Sequence, residues 1–284
     1  MPYGWPFLML VLLQAAIVAV VRDPGALPRI RRHALLGLLP LALIGGMVVV
    51  LGVWPRGVEL ATALAALAVP VLALAAGWHV RRWAVPLAFA APLLWLAAWR
   101  LAPGPWPDLA GDLLIVLAAV VLGRLTGWVS PRGALVIGVL VATGVDIWQV
   151  AQIQVQPVAQ ALGAAVPPGG LPSLQELRMQ GATMGWGDAY IAALVGAIVA
   201  ASRRATIAAV AGCAVGGILL GLLFAWVQFV PATVPPALGL IAAGAVEHRA
   251  VRRWVRTAID SHGRPRMQPD KEARPDGDHP AQPR

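Results

Sequence analysis

Residues 133–155 read GALVIGVLVATGVDIWQVAQIQV, and residues 183–201 read TMGWGDAYIAALVGAIVAA. Each stretch is long and apolar enough to cross a bilayer as a helix, which takes about 20 mostly apolar residues. Each also holds one aspartate, Asp146 in the first and Asp188 in the second. A carboxylate in hydrocarbon is costly, so an acid retained at membrane depth marks a functional site. Two of them on neighbouring spans call for one shared explanation.

The rest of the chain agrees with a bilayer setting. Hydrophobic residues make up 59% of the sequence, charged residues 12%, and the mean hydropathy is +0.74, against the roughly 25% charged content of a soluble domain. A formal charge of +9 would suggest nucleic acid for a soluble protein. Here the basic residues lie in short clusters between apolar runs, which is positive-inside patterning, and no nucleic-acid partner is expected. All basic residues but Lys271 are arginine, and the single cysteine, Cys213, allows no intrachain disulfide.

Apolar runs of about 17 to 25 residues give nine candidate spans, near 4–21, 34–54, 58–78, 83–101, 109–129, 133–155, 183–201, 205–227 and 232–250. The first lacks a basic leader and is followed by Arg22, Arg29, Arg31 and Arg32, so it reads as a retained span and not a cleaved signal peptide. Pro86 and Pro92 in the fourth span are tolerable where neighbouring helices satisfy the freed backbone groups. Alternate sides of the nine spans receive fourteen arginines and three, the three being Arg56, Arg100 and Arg178. The positive-inside rule then puts the N-terminus outside and the C-terminus in the cytoplasm of a multi-pass cell-membrane protein. Three regions follow: helices one to five in 1–132, helices six to nine in 133–256, and a polar, proline-rich tail in 257–284 that reads as disordered.

Depth brings the two acids together. Asp146 lies about 13 residues from the cytoplasmic end of its span, roughly 20 Å in, and Asp188 about five residues, roughly 8 Å, from the outer end of the next. Consecutive antiparallel helices therefore carry both carboxyl groups to the outer half of the membrane. Like charges a few ångströms apart in a low-dielectric site cannot both ionise, so one carboxyl acts as base toward water and the other as acid toward a carbonyl. Asp146, Gln149, Gln152, Gln156 and Gln160 recur every three or four residues, one helical stripe that suits a hydrated cavity and continues into a short amphipathic helix.

The order of motifs is the second source of meaning. Asp146 in one span, Gly185-Trp186-Gly187-Asp188 in the next and Pro236-Ala237-Leu238 at the start of the ninth resembles the presenilin and signal peptide peptidase family of intramembrane aspartyl proteases. The resemblance covers residues 133–250; Val145 stands where that family usually has an aromatic residue, and Pro235 where it often has Gln. It implies an all-α membrane protein with a nine-transmembrane-helix, presenilin-like bundle. It implies Asp146 and Asp188 as the catalytic pair, Gly185, Trp186, Gly187, Pro236, Ala237 and Leu238 as substrate-binding residues, and transmembrane or signal-peptide helices as substrates. Neither metal nor cofactor is implied. From the residues alone, Gly185 and Gly187 allow close backbone approach, and Pro236 makes the start of the ninth span irregular.

Two other classes fit part of the pattern. A prepilin-peptidase-like enzyme also uses two aspartates and Gly-x-Gly-Asp, but that group usually has Lys where this chain has Tyr190, and places two spans between its acids; 42 residues with a polar loop leave no room for two. A proton-coupled transporter would use a buried carboxylate and a glutamine-lined cavity equally well. Asp108 and Asp112, near the start of the fifth span, read as acids favouring a helix N-terminus. Gly212, Gly216, Gly217 and Gly221 read as helix-packing positions, and His33, His79 and His248 lack a second ligand at metal spacing.

Overall fold

The computed structural model describes residues 4–21, 42, 46, 57–79, 84–102, 104–152, 155–179, 181–223 and 230–263. The span expected over 34–54 lies outside the described residues apart from two isolated positions. In chain order the elements are α1 (Trp5–Val20), α2 (Gly57–His79), α3 (Ala84–Arg100), α4 (Pro105–Val129), α5 (Arg132–Ala151), α6 (Val155–Ala164), β1 (Glu176–Met179), β2 (Ala182–Gly185), α7 (Trp186–Val199), α8 (Arg203–Leu223) and α9 (Val234–Gly263). Four of these are long and apolar enough to cross a membrane: Gly57–Ala75 within α2, and α4, α5 and α8. Helices α1 and α7 are apolar but hold only 16 and 14 residues.

Helix α7 sits at the centre of its unit. Ten of its residues, from Ala189 to Val199, are buried, the pattern of a helix apolar on all sides, and it packs against α1, α4, α5 and α8. Small residues let the backbones close. An added Cβ at Gly123 would stand 2.6 Å from the Cβ of Ala193 and 2.8 Å from its carbonyl carbon; at Gly127 it would stand 2.7 Å from the Cβ of Ala197. Backbone atoms cannot yield as a flexible side chain does, so Gly123→Val is expected to lower stability by roughly 1–3 kcal/mol, read as an earlier unfolding transition in detergent. On α8, Gly212 and Gly216 face α9, whereas Gly217 and Gly221 face Val11 and Phe7 of α1. The four glycines serve packing on two faces of one helix.

Proline inside α2 has a visible compensation. Pro70 carries no N–H, which leaves the carbonyl four residues earlier, that of Ala66, without its helical partner. The indole N–H of Trp95 on α3 donates to that oxygen at 3.1 Å, and a neighbouring helix thereby supplies the missing bond.

Between α6 and α7 the chain forms a hairpin where only a loop was expected. Strands β1 and β2 pair antiparallel, Leu177 opposite Met184 and Arg178 opposite Thr183, and the turn closes through Gly181 at φ 93, a left-handed conformation that glycine adopts freely. Leu177 and Met184 are buried and anchor one face. The hairpin runs directly into α7, so the helix begins at Trp186 and not at 183.

Two further expectations are corrected. The polar stripe does not ride one continuous helix, since α5 ends at Ala151, but the short amphipathic helix expected at its outer end is present as α6, Val155–Ala164. Gln149 is buried and Gln160 exposed, while the side chain of Gln156 lies outside the described residues. At the other end, the chain divides into the units Met1–Val246 and Glu247–Arg284. In the second, residues 247–263 are helical, seven residues into the segment read as disordered tail, because no proline interrupts the sequence between Pro236 and Pro265. Residues 264–284 lie outside the described residues.

Candidate functional site

Asp188 is the third residue of α7. Its carboxyl group faces the amide of Gly185, the residue that caps the helix, and so reaches back to the cap as the acid of a capping box does. Gly185 has an ordinary φ of −62, so its conformation does not demand glycine. A Cβ there would stand 3.2 Å from Oδ2 of Asp188 and near no other group. Of the two expected roles, approach by a partner helix or by an extended substrate, no partner helix lies against Gly185 among the described residues; the missing side chain leaves room for the aspartate itself.

Asp146 lies in the last third of α5, and its Oδ2 accepts the hydroxyl of Thr233 at 2.6 Å and the N–H of the same residue at 3.4 Å. Thr233 is fully buried and precedes α9, whose first helical bond runs from the Ala237 N–H to the Thr233 carbonyl. Asp146 thus sits at the positive end of α9, as Asp188 sits at that of α7. Helix α5 packs on α7, and Asp146 and Asp188, both half-buried residues, lie within electrostatic reach of each other.

The remaining motif residues fall into place differently. Trp186 stacks on Tyr190 with ring centroids 5.6 Å apart; Tyr190 is buried and bonds the Thr126 hydroxyl at 3.0 Å. The indole N–H of Trp186 is buried without a hydrogen-bond partner. Gly187 lies in the first turn of α7. Pro236 and Ala237 are buried and Leu238 is 39% exposed. All three are helical, not irregular: α9 starts at Val234 because prolines in a first turn give up N–H groups that would have had no partner anyway. The irregular backbone lies just ahead, at residues 230–233.

Several contributors were not visible as motifs. Asp112 is buried, about two turns beyond the helix start where its expected role lay, and accepts the Arg178 N–H at 2.8 Å. That bond ties the outer edge of β1 to α4. Gln175 donates to the carbonyls of Leu162 at 3.1 Å and Ala165 at 3.5 Å, and Arg178 pairs with Glu176 at 2.9 Å. The β1 side of the hairpin is held from both α4 and α6. The outer edge of β2 carries Thr183 and Gly185, both exposed, and runs directly to Asp188. Among the described residues no group of three or more His, Cys, Asp or Glu is placed to hold a metal ion.

No family model matches the chain, and neither the curated proteins nor the solved structures contain a match.

Proposed function

We propose that the protein is an intramembrane aspartyl protease that hydrolyses peptide bonds of transmembrane or signal-peptide helices. The observation that carries this reading is that Asp146 and Asp188, 42 residues apart in sequence, stand on packed helices α5 and α7, within electrostatic reach of each other. A water molecule between the carboxyl groups gives a proton to Asp146 as it attacks the scissile carbonyl, and Asp188 gives its proton to the carbonyl oxygen. The tetrahedral intermediate then collapses as the departing amine is protonated, and the pair returns to its starting state. Oδ2 of Asp146 already accepts two hydrogen bonds, which fits Asp146 as the base and leaves the proton to Asp188.

A helical substrate must unwind before its peptide bond can be attacked, and the unwound segment then needs backbone partners. The outer edge of β2 supplies them at Thr183, two residues before the Gly185 amide that Asp188 itself holds, and strand addition is a common way to hold an extended peptide. On this reading the opposite edge is closed by Asp112, so the substrate pairs with β2 alone. Release of a labelled fragment from a transmembrane peptide co-reconstituted with the purified protein in vesicles tests the reading; no fragment, with substrates of varied sequence, counts against it.

The orientation proposed with this function is nine spans with the hairpin on the outer face and the C-terminus in the cytoplasm, as the arginine asymmetry requires. A Cys213→Ala chain carrying Val166→Cys, at a position 77% exposed, is expected to react with a membrane-impermeant maleimide applied outside intact cells. Reaction only after the cells are opened would reverse the assignment.

A further inference from the structure

Position 233 is the cap of α9, and a threonine there ordinarily accepts a hydrogen bond from the N–H of the second or third helical residue. In this chain those residues are Pro235 and Pro236, which have no N–H to give. The Thr233 hydroxyl has no capping task and donates to Asp146 at 2.6 Å. One peptide group back, the side-chain amide of Gln14 donates to the Ala232 carbonyl at 2.8 Å. Gln14 is 2% exposed, buried in the otherwise apolar helix α1, where an amide is costly unless bonded.

The Ala232 carbonyl and the Thr233 N–H belong to the same planar peptide unit and point in opposite directions across it. One edge of that plane is held by Gln14 and the other by Asp146. The plane cannot rotate without breaking a bond to one helix or the other, and each bond polarises the unit in favour of its opposite number. We propose that Gln14 and Thr233 are positioning residues for Asp146, acting through the single peptide plane between Ala232 and Thr233 and making α1 part of the catalytic apparatus. The proposal rests on the aspartyl-protease reading and adds to it a reason for the first helix to be there.

The test is a cycle of variants assayed on the same labelled peptide. Thr233→Val keeps the shape and loses the hydroxyl; kcat is expected to fall about tenfold or more, the scale of a hydrogen bond to a charged group, with KM unchanged. Thr233→Ser keeps the donor and is expected to stay within about threefold of the parent. Gln14→Leu, which touches no carboxylate, is expected to lower kcat several-fold, and the double variant to be no worse than Thr233→Val, since both act on one path. Asp146→Asn is measured beside them. If it is inactive while Thr233→Val and Gln14→Leu keep full kcat, or if Thr233→Ser loses as much as Thr233→Val, the positioning role is wrong and the protease reading stands. If Asp146→Asn cleaves fully, the protease reading itself fails. Should Thr233→Val not fold, Gln14→Leu alone decides: unchanged kcat overturns the proposal, and a lowered kcat at constant KM upholds it.

Discussion

Asp146→Asn and Asp188→Asn are each expected to reduce cleavage of a labelled transmembrane peptide by about 10³-fold or more, at the upper end of what positioned acid–base groups contribute. Neither carboxyl can fill both roles, so loss of one is not made good by the other. The folds should survive. An asparagine oxygen can still accept the Thr233 hydroxyl that Asp146 accepts at 2.6 Å, and an asparagine at 188 can still face the Gly185 amide. Unchanged melting in detergent therefore separates lost chemistry from lost structure. The same pair dictates a bell-shaped pH profile for the parent: at low pH both carboxyls are protonated and no base remains, at high pH both are ionised and no acid remains, and the two limbs belong to the pair as a unit. Full cleavage by purified Asp188→Asn would end the aspartyl reading. Substrate-coupled proton flux in a chain that cleaves nothing would instead point to a transporter.

What was legible in the sequence follows from the length of the signal each element leaves. Helices α4 and α5, at 105–129 and 132–151, fall within a few residues of the spans read from hydropathy at 109–129 and 133–155, because twenty apolar residues outweigh local detail. The hairpin did not survive that window. Its strands are four residues each, and their alternation, with Leu177 and Met184 inward, averages away between longer runs. The two aspartates were conspicuous because a charge in an apolar span is rare. Their supports were not, since Gln14, Asp112 and Thr233 act at sequence separations of 218, 66 and 87 residues. One local sign did exist: a threonine ahead of an apolar run marks a helix start, and two prolines after it withhold its usual partners. Reading Pro236 as a disruption hid that the helix begins before it.

The outer edge of β2 at Thr183, whose outward neighbour Gly185 already gives its amide to Asp188, yields the second large effect. Its outward positions, Thr183 and Gly185, alternate with Ala182 and Met184, which point their backbone groups toward β1; the pairing is fixed by Arg178, opposite Thr183, whose N–H turns away from β2 to Asp112 at 2.8 Å. Proline is tolerated on an edge strand where its missing N–H would have faced outward, so Thr183→Pro should keep the hairpin and remove the outward donor. Its ring would also stand where an added strand must approach. Loss of one backbone bond and displacement of its neighbour amounts to about 2 kcal/mol, or roughly 30-fold in kcat/KM. Met184→Pro is the contrast, since it removes an inward bond to β1 and should undo the hairpin itself. A substrate peptide with an ester in place of the amide facing Thr183 removes the matching donor or weakens the matching acceptor without touching the enzyme, and should lose activity on the parent but little further on Thr183→Pro. If the ester costs the two enzymes equally, or if Thr183→Pro cleaves as the parent does, the substrate is not held along β2, and the contacts that present a peptide bond to Asp188 must come from α5 and the start of α9 instead.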